Sequence, residues 1–117
     1  MRAEGRAVQS PVLATGLPEV ITNRIFSVIF KLDGLFPMVV KPLLTASGKQ
    51  VGAAGMVVNA GFDRETGTVT LQPGEEATIA FVLSDDQSTA VRIVVQDPAT
   101  DAELYRSPQD IPVRLGV

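Results

Sequence analysis

The chain has 117 residues, which suits one domain with a core able to stand without metal or disulfide staples. It contains no histidine, cysteine or tryptophan. That excludes a disulfide framework, a thiolate nucleophile, a cysteine zinc site and the histidine member of a Ser-His-Asp triad. Ten Lys and Arg against thirteen Asp and Glu give a net charge of -3, so the chain lacks the basic excess of a phosphate-binding surface and no nucleic-acid partner is expected.

Residues 1–18 carry little pattern. Val8, Val12 and Leu13 suit a short strand or an arm on a neighbour, while Pro11, Gly16 and Pro18 break regular elements. The expected organisation is an N-terminal arm over 1–18 and a β-domain over 19–117. No apolar stretch of the kind found in a secretory leader follows Met1, so the expected location is the cytoplasm or a particle assembled there, such as a virion. The greasiest region, 25–44, is broken by Lys31, Asp33, Gly34, Pro37, Lys41 and Pro42, so no membrane span is expected.

Residues 20–32 fit two periods. Phe26, Val28, Phe30 and Leu32 alternate as in a half-buried strand, while Ile21, Ile25, Val28, Ile29 and Leu32 would line one helical face. The density of β-branched and aromatic residues favours strand. Asp33-Gly34 marks a turn. Residues 36–44 are extended, but Pro37 and Pro42 each remove a ladder donor, so an edge strand is expected here and not a central one. Ala46, Ser47, Gly48 and Lys49 form the next turn. Glycines 52, 55 and 61 in the stretch 51–62 point to a bulge or close backbone approach.

The stretch 68–83, TVTLQPGEEATIAFVL, shows the clearest pattern. Val69 and Leu71 share one face; Ala77, Ile79, Phe81 and Leu83 share another. Pro73-Gly74 joins the two runs and suits a type II turn, reading as a hairpin. Alternation returns at Val91, Ile93 and Val95, and short runs at 103–106 and 111–115 complete about seven to eight strands.

The series TVTLQPGEEATIAFVL, AVRIVVQD and ELYRSPQDIPVRL resembles the last four strands of an immunoglobulin-like domain. The resemblance implies an all-β, single immunoglobulin-like antiparallel β-sandwich with an extended N-terminal arm, and implies no activity. The Cys-Trp-Cys core of antibody domains is absent, and Tyr105 does not stand in a tyrosine corner.

Candidate chemistry is sparse. Ser47-Gly48-Lys49-Gln50 lacks both the upstream glycine and the trailing hydroxyl of a phosphate loop, and reads as a turn. Asp85 with Asp86, and Asp97, Asp101 and Glu103, are loop carboxylates without calcium-loop spacing. Glu75 and Glu76 are adjacent on a strand start and point to opposite faces, so they cannot flank one bond. Ser27 with Lys31, and Ser47 with Lys49, define no buried dyad. Neither a cofactor nor a metal is expected.

The stretch that draws attention is 35–44. Met38, Val40 and Leu44 fall on one face of an extended segment, Val39 and Leu43 on the other. An edge covered on one side only should be polar on its outer side. Leu35, Phe36, Met38, Val39, Val40, Leu43 and Leu44 are therefore the expected interface. The functional expectation is a non-enzymatic structural or accessory subunit binding a protein partner or itself, such as a virion decoration, tail or fibre-like component. A ligand- or carbohydrate-binding module is the alternative, with Tyr105 as its one plausible aromatic platform. A carboxylate-only enzyme comes last.

Overall fold

A computed structural model of the chain describes residues 11–85 and 87–115. All ten of its elements are strands: β1 (Val12–Thr15), β2 (Ile25–Leu32), β3 (Met38–Ala46), β4 (Lys49–Val58), β5 (Gly61–Asp63), β6 (Thr68–Leu71), β7 (Glu76–Leu83), β8 (Ala90–Gln96), β9 (Glu103–Arg106) and β10 (Ile111–Pro112). The chain is thus all-β, with more strands than the seven to eight expected; the extra ones are the short β5 and β1, which lies within the expected arm. Residues 1–10 of the expected arm lie outside the described residues. Val12–Thr15, at its other end, pairs antiparallel with β2 and buries Val12.

Every strand pairing is antiparallel. One continuous path runs β1-β2-β7-β4-β3-β6-β5, and β8 branches from β3 to carry β9 and β10. The sheet curls until β1 approaches β9. Two isolated bridges hold its ends: Ile21 with Val113, and Leu32 with Pro73. The core fills the curl. Alternation puts Val28, Phe30 and Leu32 of β2 beside Ala77, Ile79, Phe81 and Leu83 of β7, and on the far side Val91, Ile93 and Val95 of β8. Phe81 stacks on Phe26 at 5.6 Å and meets Phe30 edge-on at 6.2 Å, an arrangement aromatic rings favour.

Two expectations are corrected by the topology. β3 is not an edge: it pairs with β4, β6 and β8. Pro42 is tolerated because its only registered partner is Val95 of β8; the β6 pairing stops at Val40 and the β4 pairing starts at Leu43. The missing donor falls where the strand exchanges neighbours.

Nor do β6 and β7 form a hairpin. Gly74 has φ of +74°, and the Glu75 N–H donates to the Gln72 carbonyl at 3.3 Å, so the type II turn is present. A type II turn has the wrong twist for a tight hairpin and splays its strands. β6 accordingly pairs with β3 and β5, and β7 with β2 and β4. By contrast, Ser47 and Gly48 both have positive φ, the type I′ signature, and there β3 and β4 do pair directly across the turn.

Candidate interaction face

Curling one sheet around one core leaves its outer face open over β2, β7 and β4, though not at Leu43 and Val94, which are buried. Where the strands sit side by side, that face can be read row by row from the registers. The first row is Ile25, Val82 and Ala53; the second is Ser27, Ala80 and Met56. The third is Thr15, Ile29, Thr78 and Val58, and the fourth is Leu13, Lys31 and Glu76. The first three rows carry no charge.

Exposure confirms the direction these side chains point. Ile25 is 61% exposed, Met56 58% and Val58 57%, with Leu13 and Val82 also open. Polar alternatives on a solvated outer face would be expected at these positions. Their spacing makes one contiguous apolar patch across four strands, and patches of that kind mark contact sites more than scattered single residues do. A bulge at Gly55 shapes it: a Cβ there would lie 2.5 Å from Val82 Cγ2, so Val82 leans over glycine backbone.

The sequence-expected interface divides differently. Leu35 and Phe36 stand at the tip of the β2–β3 connection, 86% and 78% exposed, and Val39 is open as well. Met38 is half-buried against the core. Val40, Leu43 and Leu44 are buried within the chain itself and present nothing to a partner. Val40 and Leu44 belong to the core the sheet curls around; Leu43, on the other face in register with Ala53 and Val94, is buried too. Sequence reasoning missed Ile25, Met56, Val58 and Val82. The signal for Ile25 lay in the double period of 20–32, since a strand apolar on both faces also satisfies a helical stripe; Met56, Val58 and Val82 lie outside that stretch.

Tyr105 is not an open platform. Its ring meets Phe30 edge-on at 6.0 Å, and burial pushes its phenol above the usual range. The loop carboxylates serve their own loops. Asp85 Oδ1 accepts the Gln87 N–H at 2.8 Å and Oδ2 accepts the Ser88 hydroxyl at 2.7 Å, which holds its carboxyl below the ordinary value. Asp97 Oδ1 accepts the Ala99 N–H at 2.9 Å. Glu103 pairs with Arg106, which lowers the Glu103 pKa and raises that of Arg106. A shallow polar cleft of about 500 Å³ lies beside Asp85, bounded by Lys49, Gln50, Ser84 and Thr89. Its carboxylate is committed to the loop. Among the described residues no three carboxylates gather as a metal site would require, and no helix is long and apolar enough to cross a membrane.

No protein-family model, curated protein or solved structure matches the chain.

Proposed function

We propose that the protein is a non-enzymatic structural or accessory subunit that works by protein–protein contact in a larger assembly, such as a virion decoration, tail or fibre-like component. One observation carries this reading: the first three rows of the outer face of β2, β7 and β4 are uncharged, with Ile25, Met56 and Val58 each more than half exposed. Such a surface gains free energy when a partner covers it and releases its water. The open Leu35-Phe36 tip, which follows β2 after Asp33 and Gly34, adds further exposed apolar surface. The same reading takes the curled sheet as an immunoglobulin-like β-sandwich. The support is the Pro73-Gly74 turn that sends β6 and β7 to different partners, and the short β9 and β10 that flank β8. It takes the working location to be the cytoplasm or a particle assembled there.

The test is site-specific photo-crosslinking in extract of the source cells. A crosslinker at Val58 should join the chain to a discrete protein of defined mass, itself or another. One at Thr100, on the exposed β8–β9 turn, should not. Equal, diffuse labelling from both positions would remove the face as a contact site and the reading with it.

A further inference from the structure

Resting on the contact reading above, we infer that the occupant of the face is a second copy of this chain, packed sheet to sheet about a twofold axis parallel to the strands.

The argument starts from charge. The face carries two charged residues, Lys31 and Glu76, directly opposite each other across β2 and β7 at one end. Everything else in the four rows is apolar or a small hydroxyl residue. A partner that brought charges over the first three rows would strand them without water. The partner must therefore be uncharged over the same extent and able to answer one cation and one anion at one end. This chain's own face has that composition.

Geometry then selects the axis. A twofold lying across the strands would set the Lys31 end of one copy on the Ile25 end of the other, burying charge on apolar side chains. A twofold along the strands, midway between β2 and β7, keeps the ends together and reverses strand order. β2 of one copy then lies over β7 of its partner. Lys31 comes to face Glu76 of the partner subunit, and the reciprocal contact forms by symmetry, as an isologous interface requires. In the apolar rows Ile25 meets Val82 of the partner subunit, and Ser27 meets Ala80 of the partner subunit. Small residues thus lie at the centre, where two sheets approach most closely.

The area is sufficient. Four strands about 4.8 Å apart, and seven residues along β2 at about 3.4 Å each, span about 19 by 24 Å, or about 450 Å² in projection. Accessible area over protruding side chains exceeds its projection. The face therefore suits a weak, reversible interface, the class below roughly 600 Å² per partner. A reversible dimer is expected.

The experiment is sedimentation equilibrium of the purified full chain across the micromolar range, with the melting temperature of each variant recorded alongside. The parent should reach twice the monomer mass. Glu76→Lys places like charges opposite each other on both sides of the axis at its Lys31 end and should weaken association by about tenfold or more. The double variant Lys31→Glu with Glu76→Lys should restore it. Ser27→Arg, a second route, should abolish association through the centre while the fold melts as the parent does. A parent that stays monomeric at every concentration overturns the inference, and so does a swapped double variant that stays as weak as the single one. A monomeric parent whose Val58 crosslinks to a different protein overturns the self-association alone and leaves the contact reading standing.

Discussion

Among the described glycines, Gly52 makes the closest approach to backbone. Its backbone lies between β3 and β7, and a Cβ built on it would sit 2.5 Å from the Val82 carbonyl oxygen and 2.7 Å from Leu44 Cδ1. Leu44 is fully buried, and the Val82 carbonyl belongs to a strand paired on both sides, so neither can retreat cheaply. Gly52→Ala therefore overpacks the centre of the sheet, at a cost of about 1–3 kcal/mol. Alanine recovers part of that through lower unfolded-state entropy, roughly 0.5–1 kcal/mol. The backbone contact places the gross cost at the upper end, leaving a net loss of about 2 kcal/mol. For a domain of this size that lowers the melting temperature by roughly 8 °C. Two controls isolate the cause. At Gly34 a Cβ meets nothing within 4 Å, so Gly34→Ala should melt within about 2 °C of the parent, as surface changes do. At Gly55 the only contact below 3 Å is a Val82 methyl, which can turn away, so Gly55→Ala should fall between the two. The assay is thermal unfolding followed by circular dichroism at matched concentration. If Gly52→Ala melts with Gly34→Ala, the close approach of β4 to β7 is not present and the row assignment of the outer face fails with it.

Gly74→Val tests the turn between β6 and β7. Gly74 has φ of +74° and open space around its Cα, so the loss of about 1–3 kcal/mol should come from backbone strain alone, read as a lower denaturant midpoint with unchanged slope. Tyr105 is the one tyrosine in the chain, so tyrosinate absorbance reports it directly. Burial raises its folded pKa above the ordinary 10.0, so the folded chain keeps the phenolic proton longer than the unfolded chain. Stability from this group is complete below pH 10.0 and declines as pH rises from there toward the folded value. The titration midpoint should lie above 10.0 in the folded protein and return to it in denaturant. A midpoint at the ordinary value in both states would place the ring in solvent and away from Phe30.

Much of this protein is decided locally. Alternation at 68–71 and 76–83 determines which side chains face the core, because successive residues on a strand point to opposite faces whatever their neighbours are. Gly74 and the Ser47-Gly48 pair determine their turns, since only residues tolerant of positive φ can occupy them. Gly55 marks its bulge for a similar steric reason. What tertiary structure decided is who sits beside whom. β6 and β7 are joined by four residues and do not pair, because the type II turn among them splays the strands and longer-range partners offer more ladder bonds. β3 follows Pro37 and contains Pro42 and still lies inside the sheet, because Pro42 falls where one neighbour ends and the next begins. The outer apolar face depends on the same decision. Ile25, Val82, Met56 and Val58 come from three strands separated by up to 57 residues of chain, and only the registers of β2, β7 and β4 bring them together. A sequence pattern reports the period of one strand; it holds no record of which strands will be neighbours, because that is settled by closing the whole core at once.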